Sequence, residues 1–364
     1  MDLFSSLPIR DVRQQEFANL WINSGKFGIL NLCPRFGKIR TTINIMDMMK
    51  PKRVLIVYPD TKIKQSWIED FNFRNYSMNG VVFTTYLSLK KHYEEEYDLI
   101  ILDEIHLISS AQTRIAIELL ETNKQVLGLT GTLSSATKSY IKINLGLKVI
   151  GEYSIAKGIE EGILSDYQIV VVNTPLDSIK RFKYPKGFYT EADRYGHLSW
   201  AVENLTQKEK NSKFLRLMRM RLIQNSIAKK QKTIDILHKY ADERILVFCG
   251  ITNLADSLGI PSYHSKSAEK KIFEDFANGF GNHLAVVKIG NTGVTYKPLN
   301  KVIINYFDSN AENMTQKILR SMSMEYDNPD KKAYIYIIST NESEERNWLN
   351  KSLSFFDKTK IKYV

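Results

Sequence analysis

At 364 residues the chain is long enough for two ordinary domains and too long for a single compact core. Its 43% apolar and 25% charged residues exclude a disordered, collagen-like or disulfide-stapled chain. Lys and Arg total 51 against 40 Asp and Glu, and the resulting charge of +11 favours an acidic polymer as partner. Cys33 and Cys249 lie far apart beside apolar runs, which reads as two thiols of a reducing interior rather than a disulfide framework. No apolar run reaches the ~20 residues of a membrane span, and Met1–Arg13 has no signal-peptide apolar region. The sequence therefore reads as a soluble, intracellular protein without a membrane partner.

Short β-rich runs alternate with helix-patterned stretches along the chain, the sequence form of a parallel α/β sheet. In the first half the predicted strands are Gly28–Leu32, Arg53–Tyr58, Gly80–Thr84, Leu99–Leu102 and Gln125–Leu129. Each is nearly all apolar, as strands covered on both faces require. Thr41–Met49 and Thr61–Phe71 carry helical spacing between them. A join follows around Gly151–Val172, where a turn feeds a new strand, Gln168–Val172. The second series is Arg244–Cys249, Ser262–His264, Leu284–Lys288, Lys301–Tyr306 and Ala333–Ile338. Two α/β domains are expected, 1–160 and 161–364, the second containing a mainly helical basic segment over 190–240.

Cys33-Pro34-Arg35-Phe36-Gly37-Lys38 follows a strand and precedes a helix. A phosphate cradle sits at such a junction, because helix N-terminal N–H groups face the anion and a Lys reaches the outer phosphates. The match to a full P-loop is imperfect. Leu32 stands where the first Gly belongs, and Ile39 where a Mg²⁺-ligating Ser or Thr belongs. Thr42 lies ~4.5 Å further along the helix axis, a poor substitute. Alone, the segment reads equally well as a structural turn.

Asp98-Leu99-Ile100-Ile101-Leu102-Asp103-Glu104-Ile105-His106 is more specific. An apolar strand delivers two carboxylates at its C-terminal end, where ligands collect in open α/β sheets. Asp103 can hold Mg²⁺ and Glu104 can polarise an attacking water. Thr130-Gly131-Thr132 ends another strand, and its hydroxyls can relay a hydrogen bond from the acidic site. The six histidines form no metal-ligand spacing.

Together these segments resemble superfamily 2 helicases and translocases, and the resemblance covers nearly the whole chain. Pro34-Arg35-Phe36-Gly37-Lys38-Ile39-Arg40 resembles motif I, Asp103-Glu104-Ile105-His106 a DExH motif II, and Thr130-Gly131-Thr132 the coupling motif III. Val54–Pro59 with Gln65-Ser66-Trp67 is similar to the motif Ia region, and Gln14 or Gln15 stands where an adenine-reading Gln is often placed. Arg244–Gly250 resembles motif IV, Asn291-Thr292-Gly293-Val294-Thr295 motif V, and Gln316-Lys317-Ile318-Leu319-Arg320 motif VI. The compact size and the Pro-Arg-Phe-Gly-Lys loop are similar to phage-encoded members, which would place the protein in a bacterial or host cytoplasm. Three positions depart from the pattern: Ile39, Thr295 after Gly-Val, and Ser323 where motif VI has its second arginine.

The resemblance implies two tandem RecA-like domains with ATP and Mg²⁺ in the cleft between them. Lys38 would grip the phosphates, Asp103 the metal and Glu104 the water. Gln316 and the finger Arg320 would enter from the second domain. Pro59, Thr85 and Thr292 are nucleic-acid contacts by position. The segment Lys208–Lys232 concentrates a net +8; Phe214, Leu217, Met218 and Leu222 form its packing face, with Lys213, Arg216 and Arg219 outward toward nucleic acid. Tyr189, Tyr195 and Trp200 read as core rather than as stacking platforms. The expected activity is an ATP-dependent helicase or branched-DNA translocase, DNA being favoured over RNA, and a monomer is compatible with the sequence. The alternative is a nucleic-acid clamp with a degenerate ATPase, which Ile39 and Ser323 favour. A third reading, the motor subunit of a restriction-type assembly, draws on Ala156–Tyr167, although the chain has no nuclease motif.

Overall fold

The computed structural model describes residues 8–122, 125–184, 187–208, 210–267, 270–287, 296, 299–307, 311–322 and 331–364. The chain divides into two units, Met1–Leu164 and Ser165–Val364.

In the first unit the elements run α1 (Ile9–Asn23), β1 (Phe27–Leu32), α2 (Lys38–Met49), β2 (Val54–Tyr58), α3 (Thr61–Phe73), β3 (Val81–Thr85), β4 (Leu99–Leu102), α4 (Ser110–Thr122), β5 (Val126–Thr130), α5 (Ser135–Leu145), β6 (Val149–Tyr153) and α6 (Ile155–Glu160). Among the described residues the strands form one parallel sheet in the order β3-β2-β4-β5-β1-β6. β2, β4 and β5 are buried along their whole length, because helices cover both faces of the sheet. Ile29, Leu55, Val57, Leu102 and Val126 build the core of one face; fully buried Trp21, Phe36, Ile43 and Trp67 belong to the helices and the loop around it. Parallel strands end on the same edge, so the loops after Leu32, Tyr58, Leu102 and Thr130 are neighbours. That edge carries the chemistry.

The sixth strand, β6, was not expected from the sequence, which placed the join there. It is an edge strand whose Val-Ile-Gly-Glu-Tyr run is only partly buried, so it lacks the continuous apolar signature of the inner strands. It leads into α6, capped by Ser154, whose Oγ accepts from Lys157 N.

The second unit runs β7 (Asp166–Asn173), a hairpin β8 (Phe182–Tyr184) and β9 (Gly187–Tyr189), α7 (Glu191–Gln207), α8 (Lys213–Gln224), α9 (Ile227–Lys239), β10 (Ile245–Cys249), α10 (Thr252–Asp256), β11 (Ser262–Tyr263), α11 (Lys271–Ala277), β12 (His283–Val287), β13 (Lys301–Ile304), α12 (Ala311–Ile318), β14 (Lys332–Ser339), α13 (Ser343–Leu353) and β15 (Ile361–Tyr363). Its described strands form a parallel sheet ordered β11-β12-β10-β13-β14-β7-β15. β7, the entry strand, pairs with β14 from Asp166↔Lys332 to Asn173↔Ser339. The short strands β8, β9 and β15 were not foreseen, having three residues each, too few to show a strand pattern.

The basic segment is helical, as expected, but its faces are turned differently. A capping box, Thr190 with Asp193, starts α7. Glu191 then binds Ile227 N at 3.0 Å and Ser226 Oγ at 3.1 Å, tying the starts of α7 and α9 together. Leu176, Tyr195 and Ile223 make a small separate core beneath α7 and α8. Phe214, expected to pack, is 70% exposed. Arg219, expected to face outward, is instead turned in: its guanidinium reaches Glu344 at 2.7 Å and Ser199 Oγ at 3.3 Å, and lies over the Tyr195 ring. The helix rotates so because Ile223 and Gln224 take the buried face near its end. Lys229, counted in the same basic run, is fully buried in an ion pair with Glu345. Lys213 is exposed as expected, and exposed Arg216 is held by Ser212 Oγ at 3.0 Å.

Candidate nucleotide-binding site

The loop 33–37 leaves β1 and is turned by two left-handed residues, Arg35 (φ 70°) and Gly37 (φ 98°). Only the second is glycine, and there the space demands it. A Cβ on Gly37 would lie 2.3 Å from Gln14 Nε2. Helix α2 begins at Lys38, so the N–H groups of its first turn have no acceptor within the helix and face the loop's mouth.

Gln14 comes from α1 and is fully buried. Its Nε2 donates to Phe36 O at 2.8 Å, and its buried Oε1 has no partner among the described residues. Gln15, the other candidate, points elsewhere: exposed, it bonds Asn19 Oδ1 and Met48 Sδ. Other motif I side chains depart from the nucleotide-facing role expected of them. The Phe36 ring is core, packed 4.7 Å from Tyr153 and 5.5 Å from Phe17, so only its backbone faces the loop. Arg40 is engaged by Asp70 at 3.5 Å and lies 5.0 Å over the Phe73 ring. Pro34 and Ile39 are half-buried. Thr41 and Thr42 donate their hydroxyls to Gly37 O and Lys38 O, at 3.2 and 3.0 Å, which leaves neither turned to replace the hydroxyl that Ile39 lacks.

Across the edge, β4 ends in Asp103 and Glu104. Lys38 Nζ pairs with Glu104 Oε1. Asp103 is almost fully buried; its Oδ2 accepts from Trp67 Nε1 at 2.9 Å and its Oδ1 from Glu104 N at 2.9 Å. Burial pushes the Asp103 carboxyl up to about 6, Lys38 pulling against that and Glu104 adding to it. Burial likewise works against the charge on Lys38, but Glu104 and Asp103 more than offset it and its pKa is raised. Glu104 itself holds a left-handed backbone, φ 47°, ψ 48°, an unfavourable conformation for a residue with a Cβ. Strain of this kind persists where the surroundings over-determine it, typically at working sites.

From Glu104 the polar chain continues into the next strand. His106 Nδ1 lies 3.4 Å from Glu104 Oε2 and 3.0 Å from Thr130 Oγ1, which in turn donates to Thr132 O at 2.8 Å. Thr130, Gly131 and Thr132 are buried. The structure thus brings Lys38, the Asp103-Glu104 pair and Thr130 together from three separate segments. Trp67, quoted from the sequence only within the motif Ia resemblance, and Tyr86, whose hydroxyl donates to Asp103 O at 3.0 Å, were given no part in holding the acidic pair. Both sit at apolar positions of regular elements and look like core.

Pro59 and Thr85 end β2 and β3 on this edge, both half-buried, and Thr85 Oγ1 bonds Ser88 Oγ at 3.3 Å. In the second unit Gln316 is buried on α12, while Lys317 is fully buried with Nζ 2.6 Å from Tyr306 OH. Arg320 falls in the 3₁₀ turn Leu319–Met322; its side chain, Thr292, Thr295 and Ser323 lie outside the described residues. Among the described residues no group of three or more His, Cys, Asp or Glu could hold a metal, and no helix is long and apolar enough to cross a membrane.

Residues 8–135 match the family model described as "Type III restriction enzyme, res subunit". The chain is 24% identical over 309 residues to the "DNA 3'-5' translocase XPB2" of Sulfurisphaera tokodaii, covering 75% of this chain and 69% of that protein. The fold is similar to a fragment of an HsdR subunit of a type I restriction enzyme from Vibrio vulnificus (TM-score 0.63, 15% identity, 98% of this chain and 67% of that one). It is also similar to the Hef helicase domain of Pyrococcus furiosus (TM-score 0.51, 15% identity, 96% and 98%). The two units have the architecture of tandem RecA-like domains, a fold similar to that of superfamily 2 helicases.

Proposed function

We propose that the chain is an ATP-dependent motor on DNA, a helicase or branched-DNA translocase. The observation that carries the reading is the meeting of Lys38 with Asp103 and Glu104 at the ends of β1 and β4, under a loop whose N–H groups suit an anion. Similarity to a DNA translocase and to restriction-enzyme subunits favours DNA over RNA.

The site fits its reactants on three counts. Gly37 leaves a cradle that any Cβ would fill. Gln14 Oε1 is a buried acceptor awaiting a donor such as an adenine amino group, which makes Gln14 the base-reading residue. A single buried carboxylate, Asp103, suits Mg²⁺, which keeps most of its waters and takes its other ligands from phosphates. When bound, the metal would neutralise charge building on the transferred phosphoryl group.

In this reading Lys38 exchanges Glu104 for the outer phosphates. Glu104, released, orients the attacking water, and His106 with Thr130 registers the change and passes it toward Thr132. Gln316 and Arg320 are the second unit's contribution to phosphate chemistry in this reading, Arg320 as the finger. Pro59, Thr85, Thr292, Lys213 and Arg216 contact the nucleic-acid backbone, whereas Arg219 anchors its helix.

The second reading, a clamp with a degenerate ATPase, is favoured by Ile39 and by the committed hydroxyls of Thr41 and Thr42. One assay separates the two: ATP turnover with single-stranded, duplex, forked and four-way DNA and with RNA. The motor requires turnover that rises with nucleic acid and falls ~10²-fold or more in Lys38→Ala. Absence of turnover at every Mg²⁺ concentration selects the clamp.

A further inference from the structure

Helix α1 holds two places at once. Gln14 grips the nucleotide loop through Phe36 O. Its neighbour Arg13 grips Glu161, with Nε at 2.9 Å from Oε2 and Nη2 at 2.6 Å from Oε1, while Nη1 holds Glu16 at 2.7 Å. One turn earlier, Arg10 Nη2 donates to Ile163 O at 3.1 Å. Glu161 and Ile163 belong to the last stretch of the first unit, which ends at Leu164. That stretch is itself tightly turned, with Ile163 N and Leu164 N both bonded to Gly158 O.

A second route joins the same two places. The fully buried Tyr153 packs its ring on Phe36 and sends its hydroxyl to Glu161 Oε2 at 2.6 Å. The contacts therefore close a ring: Phe36 to Gln14, along α1 to Arg13, across to Glu161, through Tyr153 and back to Phe36. Close-packed groups of this kind move together or exchange one arrangement for another; they do not deform piecemeal.

We infer that Arg13, Glu161 and Tyr153 form a coupling latch that ties nucleotide occupancy of the 33–38 loop to the segment by which the chain leaves its first unit. This rests on the ATPase reading of that loop. A donor that satisfies Gln14 Oε1, or a phosphate that displaces the loop backbone, acts on α1 and on the Phe36 ring. Both lead to Glu161. Arg13 touches no reacting atom in this scheme and is a positioning residue.

The test uses the full chain and four variants: Arg13→Gln, Glu161→Gln, Tyr153→Phe and the charge exchange Arg13→Glu with Glu161→Arg. Three quantities are read: affinity for a fluorescent ATP analogue, the ratio of DNA-stimulated to unstimulated turnover, and hydrogen exchange of amides 158–164 with and without a non-hydrolysable ATP analogue and Mg²⁺. The latch predicts that nucleotide slows exchange over 158–164 in the parent protein and not in Arg13→Gln. It also predicts a stimulation ratio at least about fivefold lower in the single variants, the lower end of ordinary coupling, with partial recovery in the charge exchange. If the exchanged pair does not fold, Arg13→Lys serves as the rescue. An unchanged ratio and unchanged exchange overturn the latch. So does a proportional loss of affinity and of both turnover rates, which marks a purely structural bond. If the parent protein binds no ATP, the nucleotide reading fails and takes the latch with it.

Discussion

The indole of Trp67 on α3 donates to the buried Oδ2 of Asp103 at the end of β4, across 2.9 Å and 36 residues of sequence. It is one of two donors holding that carboxylate in its charged form, the other being Glu104 N. The Asp103 carboxyl nevertheless sits up at about 6, because burial outweighs them.

Two pH dependences of opposite sign follow from Asp103. Its folded pKa lies above the unfolded value of ~3.9, so the native protein binds the extra proton between ~4 and about 6. Its contribution to stability falls as pH rises through that window and is level above it. With Asp103 as the proposed metal ligand, turnover should need its carboxylate and fall as pH drops below about 6. Trp67→Phe removes a donor to the charged form, raises the pKa further, and should move the acid limb of the ATPase profile up by roughly one unit. A limb that stays in place would show that another group sets it.

Gly37→Ala should be far more damaging than a glycine-to-alanine change in an ordinary turn. It combines φ 98° with a Cβ 2.3 Å from Gln14 Nε2. ATP affinity should fall at least ~10-fold, with ~1–2 kcal/mol of stability lost. Adding Gln14→Ala relieves the clash but not the backbone, so the double variant should regain part of the stability and none of the affinity. Thermal denaturation and nucleotide titration together check this.

Restoring a hydroxyl beside Lys38 should help rather than harm. Ile39 is half-buried and neither Thr41 nor Thr42 is turned to substitute for it. Ile39→Ser should lower the Mg²⁺ concentration for half-maximal turnover severalfold, at a stability cost of no more than ~1 kcal/mol. Turnover measured across a Mg²⁺ series decides it; no change would mean that the metal does not lean on this position.

In the second unit, the buried pair Lys229–Glu345 should matter more than the visible ion pairs of the basic helices. Glu345 also accepts from Thr340 N and Oγ1, both at 2.7 Å, joining α9, α13 and the end of β14. Lys229→Ala leaves a buried carboxylate without its cation and should cost ~3–5 kcal/mol. Breaking Arg219–Glu344 with Glu344→Gln, where Glu344 is only half-buried, should cost no more than ~1 kcal/mol. Chemical denaturation of the two variants makes the comparison.

Much of this was legible in the sequence. The inner strands of both sheets announce themselves as apolar runs, and the Lys38 loop and the Asp103-Glu104 pair stand at strand ends where a parallel sheet gathers its ligands. What misled was orientation. Phe214 and Arg219 sit at spacings that suggested one packed face and one wet face, yet the helix turns the other way to bury Ile223 and Gln224. Trp67 and Tyr86 look like core because they are core, and nothing local shows that their polar ends reach Asp103. Between Gln14 and Gln15 the residues themselves offered no choice.

The sequence by itself determined which inner strands form, in what order of chemistry they arrive, and that a lysine and two carboxylates meet at one sheet edge, since hydrophobic periodicity and strand-end placement are local properties of the chain. Only the tertiary structure decided that Gln14 and not Gln15 reaches the loop, that the Arg40 and Arg219 charges are already engaged, and that α1 is clamped to both the nucleotide loop and the unit's last turn. Those outcomes depend on which way a helix is rotated against its neighbours, and that rotation is set by close packing among side chains distant in sequence.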